Sequence, residues 1–187
     1  MELKFIFKND VTKSQQDMID SLNKVCFGID EAILKNQSEG HYFGAEEAGV
    51  CVAMDDRKIV GIAYVYKRLT HYDGDEFYIG GIGGLAVAPE YRGKGYARKL
   101  VESGLKMSYE IGVDVACLFI DEGETIYQLY EKLGYVFLKR DAYYIDSLGK
   151  ERTRDGVMIL GLRKKELAEK ILSTNDKFHY GNDEGCW

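Results

Sequence analysis

The run from Phe77 to Ile111 constrains this chain most. Its first part, Phe77-Tyr78-Ile79-Gly80-Gly81-Ile82-Gly83-Gly84-Leu85-Ala86-Val87, is apolar and strand-like, yet four glycines interrupt it. Glycine inside a strand pattern marks a bulge or the close approach of another backbone or a ligand. Its last part places apolar or small residues at Ala97, Leu100, Val101, Gly104, Leu105, Ser108 and Ile111, the spacing of one helix face. Between them lies the turn Ala88-Pro89-Glu90-Tyr91-Arg92-Gly93-Lys94-Gly95-Tyr96-Ala97. Its two glycines leave backbone N–H groups bare where the helix begins. Bare N–H groups backed by the positive end of the helix dipole bind phosphate, and Arg92 and Lys94 add charge at the same spot. Val113 to Ile120 then reads as a buried strand and Glu124 to Leu133 as a helix closed by Gly134, a residue suited to a left-handed cap. Strand, helix, strand, helix implies a parallel pair with a crossover, hence an α/β (α+β) class.

Three phosphate loops compete for this turn. A Walker loop fails, because Gly93-Lys94 follows Ala88 and precedes Gly95 instead of Ser or Thr. A dinucleotide fingerprint fails because its third glycine position holds Arg98. What remains is Arg-x-x-Gly-x-Ala, as Arg92, Gly95 and Ala97. This resembles the pyrophosphate turn of the GNAT acetyltransferases, which hold acetyl-CoA; a basic glycine-rich turn without a ligand is the plain alternative. The resemblance implies that Arg92, Gly93, Lys94, Gly95, Tyr96 and Ala97 hold the coenzyme.

The rest of the chain sets bounds. One domain over residues 1–187, with a tail from 163 to 187, is the expectation for this length. Glu2 to Phe7 alternates as a strand, and Ser14 to Cys26 has helical spacing, with Thr12 or Ser14 as its N-cap. Residues 28–44 suggest a short helix and a loop. Val50 to Met54 and Ile59 to Leu69 read as strands joined by Asp55-Asp56-Arg57-Lys58, and Val157 to Leu162 as another. This order is the one the GNAT fold implies: a mixed sheet of about six to seven strands with helices on both faces. No apolar run approaches a membrane span and no secretory leader is visible, so a cytoplasmic protein is expected. The cysteines Cys26, Cys51, Cys117 and Cys186 and the histidines His41, His71 and His179 are scattered without metal-ligand spacing, so no metal is expected.

One subfamily is more similar still. Val60 to Leu69, Gly84 to Gly95, Leu129-Tyr130-Glu131-Lys132-Leu133-Gly134-Tyr135, Arg154-Asp155-Gly156-Val157 and the terminal Trp187 resemble the aminoglycoside 2'-N-acetyltransferases. That likeness implies acceptor contacts at Asp155, Glu184 and Trp187. It also exposes departures. The family's glutamate base falls on Gly83, its acidic residue two places before the end falls on Gly185, and an asparagine seven residues before the tyrosine falls on Gly123.

The chemistry implied is acetyl transfer to an amine. The main chains of Leu85, Ala86 and Val87, in a splayed fourth strand, would hold pantetheine and the acetyl oxygen, or they are ordinary buried strand residues. Tyr130 is the candidate acid for the leaving thiolate, since a phenol with a pKa near ~10 is protonated at neutral pH. Ile126, Leu129, Tyr130 and Leu133 share a helix face, so a core tyrosine is the alternative, with Tyr127 in reserve. Asp121, at the end of the fifth strand, is the first candidate base, followed by Glu122 and the Trp187 carboxylate; a helix cap is the competing role. The net charge of −6, gathered in Asp73 to Glu76, Asp121 to Glu124 and Asp183-Glu184, disfavours nucleic acid and suits a small cationic amine acceptor. A homodimer accords with the family, although no exposed apolar stripe argues for one.

Overall fold

The computed structural model describes residues 2–28, 46–120, 126–145 and 149–181. Its main sheet has seven strands in the order β1-β2-β3-β4-β5-β9-β6. They are β1 (Glu2–Phe7), β2 (Glu46–Asp55), β3 (Lys58–Tyr72), β4 (Asp75–Val87), β5 (Val115–Phe119), β9 (Val157–Gly161) and β6 (Val136–Phe137). A smaller sheet orders β10 (His179–Gly181), β7 (Ala142–Ile145) and β8 (Glu151–Arg154). Four α-helices are described: α1 (Lys13–Phe27), α2 (Tyr96–Glu110), α3 (Tyr127–Lys132) and α4 (Lys165–Ser173). The mixed sheet with helices on both faces is the architecture expected.

Local chemistry explains the first helix. Thr12 accepts from the Gln15 N–H while the Gln15 side chain accepts from the Thr12 N–H, a complete capping box. Gly28 closes the helix in the left-handed region at φ 64°, its N–H donating to the Lys24 carbonyl. In α2 the expected face holds: Leu100, Val101, Gly104 and Ser108 are buried.

Strand alternation sorts the core into two faces. On one, Cys51, Ala53, Ala63, Val65, Ala116 and Leu118 meet Leu100 and Val101 of α2 and Tyr130 of α3. On the other, Val50, Val52 and Ile62 meet Ile19 and Leu22 of α1, while Val115, Cys117, Val157 and Ile159 meet Leu167 and Ile171 of α4. Each buried Leu, Ile or Val contributes about 1.5–3 kcal/mol relative to an exposed one.

Several elements differ from the expectations. The helix placed at Glu124 to Leu133 is described from Tyr127 to Lys132, and the strand from Ile59 continues to Tyr72. Besides Val157 to Leu162 one further late strand was expected, without assigned residues; the short strands β6, β7, β8 and β10 and the helix α4 occupy segments to which no element was assigned. The short helix placed within 28–44 falls largely outside the described residues. From residue 163 to residue 181 the chain folds back onto the sheet: α4 packs under β9 and β5, and β10 pairs with β7, burying Phe178 and Tyr180 completely.

Candidate functional site

β4 and β5 form the one parallel pair of the main sheet among the described residues. Their pairing covers only Ile79↔Val115 and Gly80↔Ala116. Among the described residues, β4 continues beyond Gly80 to Val87 paired with β3 alone. The side of β4 that faces β5 therefore carries main-chain groups without a ladder partner. This is the parting of strands expected at Leu85, Ala86 and Val87.

A bulge sits in the parted stretch. The β3–β4 register runs Ile62↔Ala86 and then Tyr64↔Gly83, so Gly84 and Leu85 together oppose Ala63. Gly84 has φ 56°. A bulge turns the strand and re-aims its peptide groups, which is why bulges gather beside active sites. On the β3 side, Tyr64 lies against Gly84, and its hydroxyl accepts from Asn23 Nδ2 of α1 at 3.3 Å. Asn23 is a buried polar residue that the sequence did not single out.

The turn into α2 follows directly. Gly93 and Gly95 have φ of 74° and 80°, and nothing stands within 4 Å of the place a Cβ would take at either. Gly95 is the N-cap of α2 and supplies no side-chain cap. The first turn of a fifteen-residue helix thus has no side-chain cap at the positive end of its dipole. Arg92 is exposed, but its Nε donates to the Val87 carbonyl at 3.0 Å. Part of its guanidinium therefore ties the turn to the end of β4. Lys94 stands with its ammonium 5.1 Å from the Tyr91 ring centroid, and the Tyr91 and Tyr96 rings meet edge on at 5.6 Å. Tyr91 donates to Asp55 Oδ2 at 2.8 Å, and that bond raises its phenol above the ordinary value.

The second half of the site lies along the same edge. Because β4 and β5 are parallel, their C-terminal ends face the same way; α2 springs from one and α3 follows the other. Tyr130 is 7% exposed and belongs to the core cluster that contains Val87 and has Leu85, Tyr91, Tyr96 and Ala97 packed against it. Tyr130 is therefore a core tyrosine of the face that α2 and α3 cover. Its ring edge meets the ring of Tyr135, which the sequence reading passed over. Tyr127 is half-buried against Phe137, with ring centroids 6.4 Å apart. Asp155 is exposed in the β8–β9 turn, next to Gly156, whose carbonyl accepts from the Ile120 N–H at 2.9 Å. That contact sets Asp155 at the C-terminal end of β5. Asp121, Glu122, Glu184 and Trp187 lie outside the described residues, as does the family's asparagine position at Gly123.

Among the described residues no group of three or more His, Cys, Asp or Glu side chains is placed to hold a metal ion. No described helix is long and apolar enough to cross a membrane.

Comparison with known proteins agrees with this geometry. Two curated relatives are mycothiol acetyltransferases. The one from Propionibacterium freudenreichii subsp. shermanii is 27% identical over 103 residues, 53% of this chain and 31% of that protein. The one from Thermobispora bispora is 33% identical over 104 residues, 55% of this chain and 32% of that protein. The chain thus matches about a third of the length of these relatives. Among solved structures, a GNAT family N-acetyltransferase (YhbS) from Escherichia coli in complex with CoA superposes with a TM-score of 0.62 at 22% identity, covering 97% of this chain and 88% of that one. The ribosomal-protein-S18-alanine N-acetyltransferase of Escherichia coli does so with a TM-score of 0.53 at 15% identity, covering 86% and 94%. These two likenesses speak for the fold. The family described as acetyltransferase (GNAT) domain matches residues 10–138. That match takes in the parted strands, the glycine turn and Tyr130, and the protein belongs to the GNAT acetyltransferase domain family.

Proposed function

We propose that the protein is an N-acetyltransferase that moves the acetyl group of acetyl-CoA to a primary amine of a small acceptor. The observation that carries this reading is the parting of β4 from β5 directly before an uncapped glycine turn. The open N–H groups of Tyr96 and Ala97, with Gly93 to Gly95, suit a pyrophosphate. The edge of Leu85, Ala86 and Val87 that β5 leaves unladdered, with the Val87 carbonyl already held by Arg92, suits the amide groups of pantetheine, which pair with main chain as a strand would.

A thioester is already activated, so the protein has little covalent work to do. It aligns a neutral amine with the carbonyl, stabilises the oxyanion with main-chain N–H groups, and returns a proton to sulfur. In this reading the amine nitrogen attacks the carbonyl carbon and the C–S bond breaks. Tyr130 gives its phenolic proton to the departing thiolate. The proton lost by the new ammonium leaves through a base, with Asp121 the first candidate. Asp155, Glu184 and Trp187 are the proposed acceptor contacts. Arg92 acts in part by holding Val87. One domain covers the chain, with the segment from 163 onward as its tail.

The acceptor is the open choice. An aminoglycoside-like polyamine fits the acidic balance of the chain and the subfamily motifs. Two facts favour another metabolite amine: Gly83 stands where the subfamily has its glutamate, and the curated relatives are named for mycothiol. Thiol release from acetyl-CoA across aminoglycosides with and without a 2'-amine, spermidine, short peptides and an amino sugar separates them. Release only with the 2'-amine supports the subfamily. Release with other amines keeps the acetyltransferase and replaces the acceptor. CoA binding without release on any amine leaves a CoA-binding protein and overturns the catalytic reading.

A further inference from the structure

The parted strands β4 and β5 make a wedge, and its closed end carries a tie beyond the two ladder pairs. The Asp114 N–H donates to the Tyr78 carbonyl at 2.8 Å, and the Tyr78 N–H donates to Asp114 Oδ2 at 3.0 Å. A buried carboxylate oxygen thus accepts where a main-chain carbonyl of the neighbouring strand would. The carbonyl of the same residue accepts from the N–H groups of Leu162, Arg163 and Lys164 at 3.0, 3.0 and 3.2 Å. One residue at the start of β5 therefore fastens both β4 and the chain that leads from β9 into α4. Lys164 adds to the tie: its Nζ donates to the Glu76 carbonyl of β4 at 3.2 Å and lies 3.8 Å from Asp114 Oδ2. Gly80, the last laddered residue of β4, lets the strands touch here. A Cβ on it would stand 2.7 Å from both methyl groups of Val113 and 3.0 Å from the Tyr66 carbonyl oxygen.

What happens at this end sets the width of the other. β4 is built into an antiparallel meander with β3, and β5 into a second antiparallel group with β9. The angle between the two groups is fixed where they touch. The strand from Gly80 to Ala86 is about 20 Å long at ~3.3 Å per residue. Turning it by roughly 5° at Gly80 moves Ala86 by ~2 Å. A hydrogen bond tolerates a range of only about 0.5 Å between donor and acceptor. A small loosening of the closed end is therefore enough to take the main-chain groups of Leu85 to Val87 out of reach of a ligand.

We propose that Asp114 is a positioning residue for the coenzyme: by taking the Tyr78 N–H, its carboxylate holds the closed end of the wedge and so keeps the groove between β4 and β5 at the width of a pantetheine chain. This inference rests on the coenzyme lying between the parted strands. Asp114 acts through the main chain of β4, since it stands at the end of the pair away from Leu85 to Val87. Without its tie the two groups of strands take several angles, and only a fraction of the molecules keeps the groove ready. The apparent dissociation constant of the coenzyme rises by the inverse of that fraction.

The test is Asp114→Ala and Asp114→Asn beside Val52→Ala, a change in the core that β2 shares with α1. Each variant is measured by CoA titration where it is folded, by thiol release from acetyl-CoA with the fastest amine of the panel above, and by a melting curve. Alanine removes the acceptor of the Tyr78 N–H; asparagine keeps an acceptor oxygen and drops the charge. If about a tenth of the molecules keeps the groove ready, Asp114→Ala raises the dissociation constant of CoA and the KM of acetyl-CoA about tenfold. Its kcat holds within about threefold, because bound coenzyme has already aligned the strands. Asp114→Asn restores both constants to within about threefold of wild type. Val52→Ala lowers Tm and moves neither constant. Unchanged CoA affinity in Asp114→Ala, whatever its Tm, overturns the inference. So does an equal loss of affinity in Val52→Ala, which marks general destabilisation, and so does an asparagine variant as weak as the alanine one. Should Asp114→Ala not fold, Lys164→Met, which removes only the second tie, is read in its place: CoA binding about threefold weaker supports the inference and unchanged binding overturns it. Wild-type protein that binds no CoA removes the coenzyme reading and this inference with it.

Discussion

Substituting Gly84 tests whether the bulge, rather than the loop after it, shapes the coenzyme groove. The residue sits at φ 56°, where an L-residue costs about 1–2 kcal/mol. A methyl group there lies 2.8 Å from Tyr64 Cδ2, closer than carbon atoms approach, and 3.1 Å from Cε2. The Tyr64 ring has to swing away, which strains its bond from Asn23 Nδ2, an interaction of about 0.5–1.5 kcal/mol. Gly84→Ala should therefore lose about 2–3 kcal/mol of stability, a fall in Tm of roughly 4–12 °C for a chain of this length. If strain is relieved by flattening the bulge, the peptide groups of Leu85 to Val87 turn out of line. CoA titrated by calorimetry at 25 °C, where the variant is still folded, should then bind about tenfold more weakly. Differential scanning calorimetry supplies the stability arm. A variant of wild-type Tm and wild-type CoA affinity refutes both the strain and the role of the bulge. Reduced Tm with unchanged affinity refutes the role alone.

Three further outcomes are expected. Tyr130→Phe should lower kcat about a hundredfold while the dissociation constant of CoA is held, as stopped-flow thiol release and calorimetry would measure. Burial raises the Cys51 thiol from 9.0 to about 11 in the folded protein, so the unfolded chain ionises first. The stability this contributes is whole below pH 9 and lost as pH rises towards 11; urea melts of wild type and Cys51→Ala across that range should converge. Phe178→Ala, removing the fully buried ring with which the tail enters the core, should cost about 3–5 kcal/mol in the same melts.

The parts of the fold visible in the sequence are those where local pattern and tertiary role coincide. The α2 face could be read because its small and apolar residues keep one helical period, and the turn because its glycines are needed for their left-handed φ. The glycines of β4 announced a bulge, although not that Gly84 carries it. The small sheet was hidden for the opposite reason. Glu151-Arg152-Thr153-Arg154 is exposed at every residue, so it has no apolar alternation, and its strand exists because β7 pairs with it. The helix α4 offers only Leu167, Ala168 and Ile171 to the core amid charged residues. Its spacing at i, i+1 and i+4 was the available sign. Tyr135 lay inside a recognised segment, but burial of its hydroxyl depends on residues distant in sequence. The Arg92 contact to Val87 likewise follows from a fold in the turn that no spacing rule encodes.

The two registered pairs between β4 and β5 also bear on how the molecule comes apart. The strands β1 to β4 form a meander of antiparallel neighbours, with α1 and α2 packed on it. The strands β5, β9 and β6 form a second antiparallel group, with α4 against it. Few ladder bonds cross the line where these groups meet. Amides beside that line should exchange with solvent through partial opening, ahead of those deep in the meander. A ligand lying along the groove touches both groups at once and fastens them. Its binding energy would then appear as cooperativity: at a thousand times its dissociation constant it adds about 4 kcal/mol, and two unfolding units melt as one.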